Sequence, residues 1–138
     1  MPTRIYLVED NATVAKLLAP LLQALTSAEI VGSSASEFEA CTWLQAHPAL
    51  WDLLVLDLGL AKGTGFGVLQ CLNNRSAMQK IVVFTNCPAK VARARCLRAG
   101  ANAFFAKLSQ TEQLVDYINV CNQPTLLLPT SFFVALKS

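Results

Sequence analysis

Glu9 and Asp10 follow the apolar run Ile5-Tyr6-Leu7-Val8, Asp57 follows Leu53-Leu54-Val55-Leu56, Thr85 follows Ile81-Val82-Val83-Phe84, and Lys107 follows Phe104-Phe105-Ala106. Three carboxylates, a hydroxyl and an ammonium at the ends of strand-like runs are the parts of a phosphoryl-transfer site. A carboxylate accepts a phosphoryl group only when a cation offsets its repulsion of the incoming anion, and Mg2+ does this with one or two carboxylates, water and substrate oxygens around it. Adjacent Glu9 and Asp10 can both reach a metal in front of a sheet, with Asp57 coming from a neighbouring strand. Three negative charges gathered without a cation would raise one another's pKa, so the cluster has a reason to bind metal. Thr85 and Lys107 are then donors to the equatorial phosphoryl oxygens.

Residues so far apart converge only if a fold brings them together. Period and breakers predict strands near Arg4–Val8, Glu29–Ser33, Asp52–Leu56, Ile81–Phe84 and Ala103–Ala106, alternating with helices near Ala12–Leu25, Glu37–Ala46, Gly65–Asn73, Ala89–Ala99 and Thr111–Cys121. Strict alternation indicates right-handed βαβ crossovers and a parallel sheet, whose strands all end at the face where ligands bind. Asn11 and Ser36 are placed as N-caps, with Ser109 or the poorer Gln110 before the last helix. Gly100 follows the fourth helix as a C′ residue. Pro20 falls inside the first helical pattern and is expected to kink or divide it.

The chain of 138 residues fits one domain, and a composition of 54% hydrophobic and 14% charged residues suits strands covered on both faces. A net charge of +2 selects neither nucleic acid nor an acidic membrane as partner. Lys90, Arg93, Arg95 and Arg98 fan around the fourth helix instead of forming a stripe. Cys41, Cys71, Cys87, Cys96 and Cys121 have no CxxC spacing and read as small buried hydrophobes. His47, before the helix-ending Pro48, reads as a surface residue. No apolar run reaches a membrane span, so a soluble cytoplasmic protein is expected. The pattern breaks at Pro124, dividing a domain of residues 1–122 from an apolar extension, 123–138, whose Leu126–Leu128 and Phe132–Leu136 need a surface to cover.

The stretches Val8-Glu9-Asp10-Asn11, Leu54-Val55-Leu56-Asp57-Leu58-Gly59-Leu60 with Gly63 and Gly65-Phe66, Val82-Val83-Phe84-Thr85, and Ala99-Gly100-Ala101-Asn102-Ala103-Phe104-Phe105-Ala106-Lys107 resemble the receiver domains of two-component response regulators, including the single-domain chemotaxis type. The resemblance implies a doubly wound, flavodoxin-like five-stranded sheet, strand order 2-1-3-4-5, flanked by five helices. It implies that Asp57 takes a phosphoryl group from a histidine kinase or histidine phosphotransfer protein. Glu9, Asp10, Asp57 and the main-chain carbonyl of Gly59 would bind Mg2+. Thr85 would follow the phosphoryl group, and Phe104 would be the aromatic whose rotamer reports that movement. Output would pass to a downstream protein through the surface of the fourth helix, fifth strand and fifth helix, with the apolar extension covering it or forming a dimer or partner interface. Catalysis would extend no further than self-phosphorylation from phosphodonors and self-dephosphorylation. Leu108, Ala61 and Asn86 depart from the family pattern, Leu108 standing where a proline is usual. Gly59 leaves the site open to water.

Two other classes compete. A phosphatase of the haloacid-dehalogenase type needs a second Asp two positions after the nucleophile, where Gly59 stands. A pseudo-receiver would lack an acidic or lysine position, and all are present. The extension is not the polar linker expected of the receiver half of a DNA-binding regulator, which favours a single-domain receiver signalling by protein contact.

Overall fold

Each apolar run is a strand, and because side chains alternate along a strand, each feeds two cores at once. The computed structural model describes residues 2–122. In chain order the elements are β1 (Arg4–Val8), α1 (Ala12–Leu25), β2 (Glu29–Ser34), α2 (Glu37–Ala46), β3 (Leu53–Leu56), α3 (Gly65–Cys71), β4 (Lys80–Thr85), α4 (Ala89–Arg98), β5 (Ala103–Ala106) and α5 (Thr111–Cys121). The strands pair in parallel in the order β2-β1-β3-β4-β5. Ile5, Leu7, Val55, Val82 and Phe84 pack against Leu18 and Leu22 of α1 and Leu114 and Ile118 of α5. Tyr6, Val8, Leu54, Leu56, Ile81 and Val83 face the other way, against α2, α3 and α4.

Local chemistry sets the boundaries. Asn11 Oδ1 accepts from the Thr13 and Val14 amides at 3.0 and 3.1 Å, and Ser36 Oγ from Glu39 at 3.2 Å, so each satisfies amides that a helix start leaves unpaired. At the end of α4, Gly100 has φ 108°, and the Ala101 and Gly100 amides donate to Cys96 O and Leu97 O at 3.0 and 3.2 Å. That pairing is a Schellman motif, and its left-handed position suits glycine. Pro20 does not divide α1, which continues to Leu25. The proline is exposed, so the carbonyl its missing N–H leaves unpaired can be hydrated.

Two readings of single residues need correction. Cys41 and Cys71 are not separate buried hydrophobes but a disulfide joining α2 to α3, with Cα atoms 6.3 Å apart. Cys87 and Cys121 are half-buried and Cys96 is buried. His47 is not a free surface residue either. It is half-buried, its ring stacks on Trp43 at 4.5 Å between centroids, Nδ1 lies 2.8 Å from Trp43 O, and Trp43 stacks in turn on Tyr6. The extension 123–138 lies outside the described residues.

At the amino ends of the strands, polar side chains tie neighbouring segments together. Arg4 grips Asp52 through Nε and Nη2, both at 3.0 Å, and Asp52 Oδ2 also accepts from the Arg4 amide at 2.8 Å. Arg75 donates to Gln79 O, Gly100 O and Asn102 Oδ1. Gln79 Nε2 donates to Pro48 O and Trp51 O, and the Thr3 amide to Asn122 Oδ1 at 2.6 Å.

Hydrogen bonding from Arg4, against the opposing effect of burial, holds the Asp52 carboxyl below its ordinary value. A depressed carboxyl stabilises the fold above its unfolded pKa, about 3.9, and that contribution is lost as pH falls through the lower folded value. Asp52→Asn is therefore expected to lower the urea midpoint at neutral pH, with the difference from wild type closing in strong acid. A constant difference at every pH would contradict the assignment.

Candidate functional site

Strand ends converge as the parallel sheet requires: Glu9 and Asp10 follow β1, Asp57 follows β3, Thr85 ends β4 and Lys107 follows β5. The Asp57 amide donates to Val8 O at 3.0 Å and the Lys107 amide to Thr85 O at 3.0 Å, so the pairing continues past the strands and fixes these residues side by side. Glu9, Asp57 and Thr85 are buried, 5%, 7% and 1% exposed.

Asp57 is engaged on both oxygens. Oδ1 accepts from Thr85 Oγ1 at 2.8 Å and from the Gly59 amide at 3.3 Å, and Oδ2 pairs with Lys107 Nζ at 2.8 Å. Lys107 also pairs with Glu9 Oε1, while Glu9 Oε2 accepts from the Asn11 amide at 3.2 Å. Asp10 Oδ2 accepts from the Ala61 amide at 2.7 Å, drawing the β3–α3 loop toward the cluster. Burial pushes the Glu9 carboxyl above its ordinary value, against the lowering effect of Lys107. Burial also disfavours the Lys107 ammonium, but hydrogen bonds to Asp57 and Glu9 outweigh it and hold that pKa up.

One ammonium does not balance three carboxylates. Glu9, Asp10 and Asp57 each offer an oxygen within 4.8 Å of the others, a hard-oxygen cluster with negative charge to spare, and its chemistry fits Mg2+. A Cβ built on Gly59 would meet no atom within 4 Å, so the site is open on that side.

Two supports were missed by the sequence reading. Gly65, quoted there only as part of a motif, lies so close to Asp57 that a Cβ would collide with the Asp57 carbonyl, and its amide donates to Leu58 O at 3.0 Å. Glu37 at the start of α2 accepts from the Thr64 amide at 2.8 Å and donates its own amide to Lys62 O at 3.1 Å, bracing the loop that follows Asp57. The signal for Gly65 was its spacing after Asp57, whereas Glu37 carried none beyond an acidic first turn.

Leu108 does not leave the Lys107 loop loose. Gln110 closes it, donating its amide to Ala106 O at 2.9 Å and accepting the Ala106 amide on Oε1 at 2.9 Å, which is why it makes no side-chain cap on α5. Phe104 is 5% exposed, packed in the core with Ala92, Cys96 and Ala101. Lys90, Arg93, Arg95 and Arg98 are all exposed on α4, and the Arg95 guanidinium lies 3.8 Å from the centroid of the Phe66 ring. No helix among the described residues is long and apolar enough to cross a membrane.

The uncharacterized transcriptional regulatory protein YvfU of Bacillus subtilis (strain 168) is 23% identical over 119 residues, 86% of this chain and 58% of that protein, so the chain spans little more than half its relative's length. The same fold occurs in a LuxR-family DNA-binding response regulator from Staphylococcus aureus, with a TM-score of 0.77 at 19% identity over 88% of this chain and 99% of that one. It occurs again in the response regulator domain of Thermotoga maritima CheB, with a TM-score of 0.74 at 16% identity over 91% and 100% of the two chains. The family model of the response regulator receiver domain matches residues 5–119, from within β1 to within α5, with every strand-end group of the site inside it. The chain belongs to that family, the receiver domains of two-component response regulators.

Proposed function

We propose that this receiver is switched by Mg2+-dependent phosphorylation of Asp57, taken from a phosphohistidine of a histidine kinase or phosphotransfer protein, and that it signals by protein contact. One observation carries the reading: donors from two different strand ends, Thr85 Oγ1 and Lys107 Nζ, lie on the two oxygens of Asp57 at 2.8 Å, with two further carboxylates beside it.

An Asp57 oxygen forms the new bond to phosphorus as the donor's P–N bond breaks and the nitrogen keeps the electron pair. Lys107 and Thr85, now bonded to the Asp57 oxygens, are close enough to turn to the phosphoryl oxygens as charge develops there. Glu9, Asp10, Asp57 and the Gly59 carbonyl would hold Mg2+, which supplies charge neutralisation between nucleophile and phosphoryl group. Once the phosphoryl group is in place, Thr85 turns toward it and Phe104 follows, biasing the α4–β5–α5 surface between two arrangements.

Titration near neutral pH is expected to show saturable Mg2+ binding that weakens in acid, as ligands protonate, and is lost in Asp10→Ala. That variant leaves Lys107 with both of its carboxylate partners. Equal affinity in the two proteins would remove Asp10 from the site. A small phosphodonor should add one phosphoryl mass to the wild type only when Mg2+ is present, and labelling at the same rate in chelator would overturn the metal dependence.

A second reading has support in the curated relative, described as a transcriptional regulatory protein and matched over 58% of its length. In that reading the same switch controls an output domain that binds DNA in a longer chain.

A further inference from the structure

Helix α1 turns one face to the core and leaves another face apolar. Leu17, Leu21 and Leu25 recur at helical spacing and are 69%, 40% and 52% exposed. With Leu108, 90% exposed, the first two line a groove of about 280 Å3 between α1 and the start of α5. Leu108 is thus both the departure from the family's usual proline and the most exposed large apolar side chain beside the site.

The lower end of this apolar strip, at Leu25, is where the extension begins, at the opposite end of α1 from the groove. Asn119 Nδ2 of α5 donates to Leu25 O at 3.4 Å, and Asn122 is tied to Thr3, so the chain leaves α5 beside the last turn of α1. From there Leu126–Leu136 can reach the whole helix: α1 is about 21 Å long at 1.5 Å per residue, and ten extended residues span about 33 Å. The extension has no acidic residue and one basic residue, Lys137. Charge therefore gives it no reason to lie on the exposed Lys90, Arg93, Arg95 and Arg98 of α4. An apolar segment that begins beside Leu25 matches the apolar strip that runs from Leu25 through Leu21 and Leu17 to the groove.

We propose that Leu126–Leu136 packs back along α1 of its own chain, seating apolar side chains against Leu17, Leu21 and Leu108. Lys107 and Asn86 also line the groove, which therefore borders the candidate site. The docking does not depend on Asp57 taking phosphate.

The test uses the full chain. Methyl-to-ring NMR contacts should link Leu17 and Leu21 with Phe132 and Phe133, and should be absent from isotope-filtered spectra of a mixture of labelled and unlabelled protein. Leu17→Glu with Leu21→Glu should speed amide exchange across 126–136 at least tenfold while the β-strand amides keep their protection. Phe132→Ser with Phe133→Ser, which alters no described residue, should expose the Leu17 and Leu21 methyls to a soluble paramagnetic probe and guards against misfolding of the first variant. Contacts found only between different molecules would make a second copy the occupant. Either unprotected extension amides in the wild type or protection unchanged by both double variants would overturn the proposal.

Discussion

Asp57→Asn is expected to take up no phosphoryl group under conditions where the wild type gains one, read as intact mass after incubation with Mg2+ and a small phosphodonor. The substitution keeps shape and keeps an oxygen for the Thr85 hydroxyl, but an amide oxygen is a far weaker nucleophile and the carboxylate charge is gone. Lys107 retains Glu9, so the fold should survive with its near-native spectrum intact. Undiminished labelling of the variant would place the acceptor elsewhere. No labelling of the wild type would favour a receiver that binds partners without ever taking phosphate.

Lys107→Met is expected to destabilise the metal-free protein by about 3 kcal/mol, because it strands two buried carboxylates that share one ammonium. Burial already holds the Glu9 carboxyl above its ordinary value, and removing Lys107 takes away the largest opposing influence. The sign of the pH dependence follows. A carboxyl raised in the folded state adds stability below its unfolded pKa and loses that contribution as pH rises through the folded value. The deficit of the variant should therefore be largest at neutral pH and narrow toward about pH 4 to 5. Added Mg2+ should also narrow it at neutral pH. Urea denaturation across this range checks both, and a deficit that is flat with pH and untouched by Mg2+ would mean that Lys107 contributes packing alone.

The convergence of the candidate site was legible because a parallel sheet leaves a strong trace: apolar runs that stop abruptly at Glu9, Asp57 and Thr85 mark strand ends, and strand ends share one face. Asn11, Ser36 and Gly100 were legible because caps and C′ positions follow local rules. Some element limits shifted by a residue or two. β3 begins at Leu53, not Asp52, and α3 stops at Cys71, two residues short of the expected Asn73. The Cys41–Cys71 pair, the Trp43–Tyr6 stack and the Glu37 brace were illegible for a common reason: each depends on which segments lie beside α2, and neither spacing nor periodicity carries that information. Gln110 was read as a poor cap from its residue type; its side chain binds Ala106 on the preceding strand instead.

The two ends of the sheet are built to different purposes. At the amino ends, Arg4, Arg75, Gln79 and Asn122 lash strands and loops together with bonds that involve no site residue. At the carboxyl ends, the side chains of Asp57, Thr85, Lys107 and Glu9 bind chiefly one another. Under the proposed switching, a domain anchored in this way would act like a reed held at its base: a charge added at the far end would redraw that group of bonds while the lashings kept the sheet in register. A substitution among the amino-end lashings would then alter stability while leaving the bonds around Asp57 as they are.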